Sequence, residues 1–442
     1  MKIIQVPFCF YPDAVGGTEI YVAELSRLLR EMHGMEIVIA APAERARTYV
    51  HEGLLVRRFA CSPISDPGEL YGEGDAMAER EFGEILDKEK PDIVHLHAFT
   101  RGVSLKLVRA AKTGTIPVVF TYHTPTVSCL RGTMMRWGAE PCDGVMDART
   151  CAACTLNGKG VPRLGAQVLA NFRFPLPASR FRVATALRMR SLVELRHATT
   201  RSLFDEVDHI IAVCRWAKDV LIRNGVPEEK ITLCRQGVVE KLEIGRWKPG
   251  DESTRSASSL RIAFFGRLEP IKGVHVLIQA LRSLPSAQMA LDIFGIAQVE
   301  AGNRYEQRLR ALAAGDNRIQ FHAPVPADQV VTTLRNYDLL AVPSQWLETG
   351  PLVVLEAFAA GIPVIGPRLG GIAELVTDGV NGILVEPNSV PVWADALEKI
   401  SRELLNNLRA QIQPPRTMSE VAEEMANLYS MLSNPVPHRA LV

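Results

Sequence analysis

Short, mostly apolar runs alternate with amphipathic segments through the first half of the chain. Residues 3–6, 92–97, 118–123 and 208–214 have the length and apolar character of buried strands. Residues 20–30 have the period of an amphipathic helix, and a loop joins them to the first of these runs. The alternation of strand and helix predicts an α/β fold built on parallel sheets.

The second half of the chain repeats this pattern. Its predicted strands lie at residues 262–265, 291–295, 319–321 and 338–342. Residues 245–259 are polar and rich in serine and charge, which indicates a linker between domains. At 442 residues the chain is long enough for two domains of about 200 residues each. Residues 417–432 predict a final amphipathic helix.

Two glutamates lie close together around a predicted short helix. This helix covers residues 352–360 and ends at Gly361, with Thr349 as its N-cap and Pro351 at its first position. Glu348 then lies in the preceding loop, and Glu356 lies on the apolar helix itself.

A carboxylate on an apolar helix is costly unless something hydrogen-bonds it. The hydroxyl pairs of a ribose or of a sugar ring are natural partners for Glu348 and Glu356. The alternative is a structural one, in which one acid sits at a helix N-terminus and the other pairs with a buried arginine.

The segment that contains Glu348 and Glu356 resembles the Glu-x7-Glu signature of retaining glycosyltransferases of family 4. The resemblance implies the GT-B fold, in which two Rossmann-like domains face each other across a cleft, and it implies a nucleotide-diphosphate sugar as donor. It places Glu348, Gly350 and Leu352 beside the donor sugar and Glu356 at the ribose. Where the family usually has Glu-x-Phe-Gly-Leu, this chain has Glu-Thr-Gly-Pro-Leu. Because proline has no backbone N–H, Pro351 removes one hydrogen-bond donor that could have met the donor sugar.

Two cations emerge from one strand-to-helix loop, since Arg267 and Lys272 follow the strand 262–265 and precede a helix at 274–284. Together with the helix dipole they suit a diphosphate. The alternative is a surface pair of Arg267 with Glu269 and a solvated Lys272. The sequence Gly-Arg-Leu-x-x-x-Lys-Gly is similar to the diphosphate-binding loop of the family, which favours the functional interpretation.

In the first half of the chain, two glycines and two histidines lie at or after the ends of predicted strands, as the two cations do in the second half. Gly16 and Gly17 open the helix 20–30, where they form either a simple turn or, as the resemblance implies, a loop whose backbone N–H groups face the substrates. His97 and His123 end two predicted strands, and ligands of α/β sheets bind at such ends. The resemblance places His123 beside the transferred sugar, whereas a packed histidine is the structural alternative.

Half of the cysteines fall within 26 residues, at Cys129, Cys142, Cys151 and Cys154. The spacing Cys-x12-Cys-x8-Cys-x2-Cys fits a four-thiolate site, most simply structural zinc, and an iron–sulfur cluster fits the same ligands. A thiol-lined loop or a disulfide pair without metal is the alternative. The cluster belongs to a Cys-rich and basic insertion at about 125–205.

The insertion is strongly basic between residues 159 and 201. It carries one acid, Glu194, against the basic residues Lys159, Arg163, Arg173, Arg180, Arg182, Arg188, Arg190, Arg196 and Arg201. Because apolar residues interleave with these cations, the segment predicts weak contact with a membrane surface or with an anionic acceptor. A solvated helical face explains the same pattern.

Composition and charge argue against several other classes of protein. The formal net charge of +1 gives no basis for nucleic-acid binding, and no run of 18 apolar residues predicts a membrane span. The start of the chain predicts a strand rather than a signal peptide, and eight cysteines in so long a chain favour cytoplasmic thiols. No Asp-x-Asp occurs, so no catalytic divalent metal is expected.

These inferences combine into one expected organisation. Residues 1–240 form an acceptor-side Rossmann-like domain, residues 241–415 bind the nucleotide sugar, and residues 416–442 form a helix that crosses back to the first domain.

The expected reaction is retaining transfer of a hexose from a UDP- or GDP-linked donor to a glycan or lipid-linked acceptor, in cell-surface polysaccharide synthesis. The expected catalytic residues are His123, Arg267, Lys272 and Glu348. A GT-B sugar-nucleotide epimerase and a non-catalytic binding module built on the cysteines are the alternatives.

Overall fold

The computed structural model describes residues 1–13, 16–64, 66–174, 181–239, 259–296 and 300–433. They form two compact units: Met1–Arg235 with the described chain from Ser419 onward, and Gln236–Met418. Except for Ser259, the predicted linker at 245–259 lies outside the described residues.

The first unit begins with the first strand and helix that the sequence predicts. Its strands are β1 (Lys2–Val6), β2 (Glu36–Ala43), β3 (Arg47–His51), β4 (Leu54–Ala60), β5 (Ile93–Leu96), β6 (Val118–Tyr122), β7 (Met135–Arg136), β8 (Glu140–Pro141), β9 (His209–Ala212) and β10 (Ile231–Leu233). Its first eight helices are α1 (Gly17–His33), α2 (Ala76–Glu89), α3 (Leu105–Thr113), α4 (Ala148–Gly158), α5 (Arg163–Leu169), α6 (Arg182–Leu187), α7 (Met189–Glu206) and α8 (Arg215–Arg223).

Eight of these strands form one sheet in the order β10-β9-β6-β5-β1-β2-β4-β3, parallel except for the pair of β3 and β4. The central strands are buried, as in Ile3, Ile4 and Val94, because helices cover both faces of a doubly wound sheet. The chain leaves β1 toward β2 on one side and later returns to β5 on the other. The strand order therefore reverses between β1 and β5, where α/β sheets bind ligands.

The insertion contains the antiparallel hairpin of β7 and β8 and the helices α4 to α7. It has a small core of its own, formed by Ala152, Ala153, Leu156, Ala166, Ala170, Met189 and Val193. Small residues dominate this core because α4 packs closely on α5 and α7.

The second unit is a six-stranded sheet in which every pair is parallel. Its strands are β11 (Leu260–Arg267), β12 (Met289–Ile296), β13 (Ile319–His322), β14 (Leu339–Ala341), β15 (Val364–Pro367) and β16 (Gly382–Val385). Its helices are α9 (Val274–Arg282), α10 (Glu300–Ala313), α11 (Val330–Leu334), α12 (Leu352–Ala359), α13 (Gly370–Leu375), α14 (Val390–Glu398) and α15 (Arg402–Ala410). A further helix, α16 (Met418–Ser433), belongs to the first unit from Ser419 onward.

The order of the second sheet is β13-β12-β11-β14-β15-β16. The chain moves outward from β11 on one side, and then from β14 on the other. The loops that follow β11 and β14 therefore flank the switch point of this sheet. The two doubly wound units confirm the predicted α/β fold class.

One local prediction is wrong. Helix α12 begins at Leu352, with Pro351 as its N-cap, so neither Thr349 nor Pro351 has the predicted capping position. Pro351 has extended backbone angles (φ −67°, ψ 123°), which place it outside the helix. Within the described ranges, no helix is long and apolar enough to cross a membrane.

Candidate functional site

The glycine pair of the first unit lies at the start of α1, the first helix after β1. Gly16 is the N-cap of this helix, and Gly17 is its first residue. The backbone N–H of Gly16 donates to Glu19 Oε2 at 2.9 Å, so this N–H already has a partner within the helix. A substrate anion would have to displace the Glu19 carboxylate to use it.

His123 lies at the carboxyl end of β6 and is buried, with 4% of its surface exposed. Its Nε2 is 3.0 Å from His97 Nδ1, and the ring of Tyr21 from α1 contacts it edge-on, with centroids 5.0 Å apart. Burial lowers the pKa of His123 to about 3, so the imidazole is neutral near pH 7. The structure thus brings His97 and His123 together next to the helix that follows the glycine pair.

In the second unit, the loop between β11 and α9 carries Arg267 and Lys272. Arg267 pairs with Glu269 at 3.1 Å, as the structural alternative expects, but about two-fifths of its side chain stays exposed. Lys272 is only partly solvated: its Nζ lies 2.6 Å from Glu348 Oε1 and 5.4 Å from the ring centroid of Trp346. The two predicted site loops therefore meet through a short ion pair.

Glu348 is buried and accepts several hydrogen bonds at one oxygen. Its Oε1 accepts from Lys272 Nζ, from Ser344 Oγ at 2.8 Å and from Trp346 Nε1 at 2.9 Å. Sequence reasoning missed Ser344 and Trp346 as its partners. Their position in the loop that contains Glu348 is the signal that could have identified them.

Glycines on two sides of the loop that contains Glu348 allow close contacts with its backbone. At Gly273 (φ 71°) a Cβ atom would lie 1.8 Å from the carbonyl oxygen of Pro343, so only glycine fits there. On the other side, Gly371 donates its N–H to the carbonyl of Glu348 at 2.6 Å, and a Cβ at Gly370 would lie 2.9 Å from the same oxygen. These contacts position the Glu348 loop at the switch point of the sheet.

Glu356 lies on α12, one helical turn beyond Leu352, and is partly exposed. Within the described chain its carboxylate forms no hydrogen bond or ion pair, so the predicted alternative of a buried arginine partner is not observed there. Desolvation of its carboxyl group raises the pKa of Glu356 to about 7. A carboxylate with unused acceptors at this edge can accept hydrogen bonds from ligand hydroxyls.

Gly350 and Leu352 lie between the two glutamates. Gly350 has a φ of 142°, which favours glycine, and Leu352 is the first residue of α12. A Cβ at Gly350 would lie 3.6 Å from Gln236 Oε1, a buried acceptor that has no hydrogen bond in the described structure. Sequence reasoning gave no role to Gln236.

The four cysteines line one cavity of about 210 Å³, together with Met134 and Met135. All four are free thiols. Burial, and secondarily the neighbouring cysteines, raise the pKa of Cys151 to about 12. Among the described residues, no three His, Cys, Asp or Glu side chains are arranged to hold a metal ion, so the predicted zinc site is not confirmed.

Several cations of the basic segment have partners within the chain. Arg188 pairs with Asp66 at 3.1 Å, and Arg196 lies 3.9 Å from the ring centroid of Phe99. In contrast, several apolar side chains of the insertion are exposed: Leu164, Val168, Phe172, Phe181 and Val183. Part of the basic charge is therefore structural, and the membrane contact stays a prediction.

Comparison with known sequences gives matches in both halves of the chain. The model of Glycosyltransferase Family 4 matches residues 15–241, just over half of the chain, and that of Glycosyl transferases group 1 matches residues 251–414. A D-inositol 3-phosphate glycosyltransferase of Corynebacterium jeikeium is 34% identical over 224 residues, which are 47% of this chain and 52% of the relative. The alignment thus spans about half the length of that relative.

Solved structures match nearly the whole chain. Sucrose-phosphate synthase from Thermosynechococcus elongatus has a TM-score of 0.67 at 17% identity, covering 98% of this chain and 99% of that chain. Anabaena Alr3699/HepE, in complex with UDP-glucose, has a TM-score of 0.63 at 17% identity, covering 97% and 99%. These likenesses confirm the predicted GT-B fold class. With more than half of its length matched by the family model, the chain belongs to glycosyltransferase family 4.

Proposed function

We propose that this protein transfers a hexose from a nucleotide-diphosphate sugar to a hydroxyl acceptor with retention at the anomeric carbon. The observation that carries the proposal is the meeting of Lys272 and Glu348 at the switch point of the second sheet, with Glu356 on the adjoining helix. This edge offers a cation for a diphosphate and acceptors for hydroxyl groups.

Lys272 and Arg267 act on the leaving group. Breaking the bond between the sugar and the diphosphate leaves negative charge on the phosphate oxygens, and fixed cations stabilise that charge in the transition state. Lys272 is held by Glu348 and Trp346, so its ammonium is preorganised, whereas Arg267 is more exposed and can turn from Glu269 to the ligand.

The two glutamates bind different parts of the nucleotide-sugar donor. Glu348 orients Lys272 and its carboxylate accepts from hydroxyls of the sugar, and Glu356 accepts from the ribose diol. The acceptor hydroxyl attacks the anomeric carbon itself, on the face that the diphosphate leaves, and its proton passes to the departing diphosphate oxygen.

The finer identities are also proposals. A donor linked to UDP or GDP agrees with the UDP-glucose complex of Alr3699/HepE. A glycan or lipid-linked acceptor, a role in cell-surface polysaccharide synthesis and a cytoplasmic location with weak contact at the inner membrane face are carried forward from the sequence. Transfer of the sugar to an acceptor distinguishes this reaction from epimerisation, in which the sugar stays on the nucleotide.

Nucleotide binding is expected to depend on the ionisation of Glu356. A ribose diol donates more strongly to the charged carboxylate than to the neutral carboxylic acid, so the form above the raised pKa of about 7 binds more tightly. The ionised fraction of such a group rises roughly tenfold from about pH 6 to about pH 8, and affinity should rise by up to a similar factor. Calorimetric titration with UDP, GDP and ADP measures this effect and also identifies the base.

The diphosphate of the nucleotide also gains and loses a proton in this pH range. Variants are therefore needed to isolate the contribution of Glu356. Glu356→Gln should lose the part of the pH dependence that belongs to the protein, whereas Glu398→Gln, an exposed acid on α14, should keep it. If the affinity for the nucleotide changes with pH in Glu356→Gln as it does in the unaltered protein, Glu356 does not bind the ribose. Absence of binding by any nucleotide to the folded protein would overturn the proposed function.

We also propose that Cys129, Cys142, Cys151 and Cys154 bind one structural zinc ion. In support, all four thiols line the same cavity, and a bound cation would offset the cost that burial imposes on a thiolate, as at Cys151. Elemental analysis is expected to find about one zinc per chain and almost none in Cys151→Ser. Cys61→Ser, a half-buried thiol outside the cavity, is the matched control. Metal-free, folded protein from zinc-supplemented cultures would refute the site.

A further inference from the structure

A continuous chain of hydrogen bonds runs through the buried interior of the first unit. Its members lie on β1, β5, β6 and α16 or directly after a strand, and each is at most 4% exposed. In order, they are Thr121, His95, Tyr429, Gln5, His97 and His123.

The half of this chain nearest to His123 runs through β1. His97 Nδ1 lies 3.0 Å from His123 Nε2, and His97 Nε2 lies 2.6 Å from Gln5 Oε1. The amide of Gln5 then donates through Nε2 to the hydroxyl of Tyr429 at 3.2 Å. In the other half, the hydroxyl of Tyr429 lies 2.6 Å from His95 Nδ1, and His95 Nε2 lies 2.7 Å from Thr121 Oγ1.

All three histidines are neutral near pH 7. Burial holds the pKa of His95, His97 and His123 below the ordinary value, and the neighbouring imidazoles lower that of His95 and His97 further. A neutral imidazole has one N–H and one bare nitrogen. The direction of each hydrogen bond therefore determines the direction of the next.

The amide of Gln5 sets this direction. Its oxygen faces His97 and can only accept, so His97 carries its proton on Nε2 and has a bare Nδ1. His97 Nδ1 then accepts from His123, so the proton of His123 is on Nε2 and its Nδ1 is bare. Toward the other end, Gln5 donates to Tyr429, Tyr429 donates to His95, and His95 donates to Thr121 without a conflict.

We propose that Tyr429, Gln5 and His97 are positioning residues that hold His123 in the tautomer with a bare Nδ1, which accepts a hydrogen bond from a hydroxyl of the transferred sugar. The contact with the sugar rests on the proposed function, whereas the tautomer rests on the hydrogen-bond chain alone. Without the hydroxyl of Tyr429, Gln5 loses the acceptor that fixes its orientation. A turned amide would reverse the direction at His97 and place the proton of His123 on Nδ1.

Nitrogen NMR of the imidazoles tests the tautomer without any substrate. The protein has 10 histidines, so selective ¹⁵N-histidine labelling gives a spectrum in which the signals absent from His123→Asn identify His123. We expect a bare Nδ1 and a protonated Nε2 in the unaltered protein. In Tyr429→Phe and in Gln5→Leu, the Nδ1 signal should move toward the protonated position. A protonated Nδ1 in the unaltered protein, or no change in either variant, would overturn the proposal.

Tyr305→Phe is the matched control, because it removes a 2.7 Å hydrogen bond between a tyrosine and a histidine, His275, in the second unit. It should change neither the His123 signals nor the kinetics. Tyr429→Phe should lower kcat/KM for the donor about tenfold, the usual effect of losing one buried hydrogen bond. If the tautomer shifts but kcat/KM does not, the contact with the sugar is refuted. If the tautomer shifts and no donor is used by any variant, the proposed function fails while the positioning role stands.

Discussion

Replacing Lys272 by Met is expected to lower the rate of sugar transfer roughly 100- to 1,000-fold, as the loss of a preorganised transition-state donor does in other enzymes. Lys272 Nζ is partly buried, 2.6 Å from Glu348 and 5.4 Å from the ring centroid of Trp346, and methionine keeps an apolar side chain of similar length while it removes the charge. The loss should appear mainly in kcat, because charge on the diphosphate develops as the bond breaks.

Single-turnover transfer with a saturating donor measures this effect directly. The matched control is Lys399→Met, which removes an exposed lysine paired with Asp395 on α14 and should leave the rate unchanged. Lys272→Arg keeps the charge but not the shape and should retain part of the activity. A rate for Lys272→Met within a few-fold of the unaltered protein would exclude Lys272 from the chemical step.

Glu348→Gln is expected to reduce both activity and stability. The amide has the shape of the carboxylate but lacks its charge, so Lys272 loses its ionic partner, and leaving one charge of a buried pair unpaired costs about 3 kcal/mol. The sugar loses a charged acceptor and Lys272 loses its orientation, so kcat/KM should fall roughly 100-fold.

The double variant Lys272→Met/Glu348→Gln separates these two effects. Removing both charges leaves no unpaired ion, so denaturant unfolding should show recovery of much of the lost free energy of unfolding. Transfer activity should stay low, because neither the cation nor the anion is present. Recovery of activity along with stability would mean that the pair is structural and that catalysis lies elsewhere. Additive losses of stability would mean that the two side chains do not interact in solution.

The local elements follow from the sequence because their causes are local. The apolar run at 262–265 and the glycines around it predict a strand, a turn and a helix, and the structure has β11, a turn at Pro270–Lys272 and α9 there. The alternation of such units predicts a doubly wound sheet, since parallel strands require crossover helices. The Glu-x7-Glu spacing and the Gly-Arg-Leu-x-x-x-Lys-Gly loop predict the chemistry, because both are contiguous motifs.

Contacts between distant segments were decided by the tertiary structure. Lys272 and Glu348 are separated by 76 residues, and they meet because β11 and β14 are neighbours in the sheet. Tyr429 lies 334 residues from His95, and no pattern near either residue predicts their hydrogen bond.

The cavity that the four cysteines share is likewise lined by residues that only the fold brings together. Periodicity and turn chemistry act over a few residues, so the sequence by itself determined the elements and the residue types of the site. The pairing of side chains depends on which strands and helices become neighbours, and only the folded chain determines that.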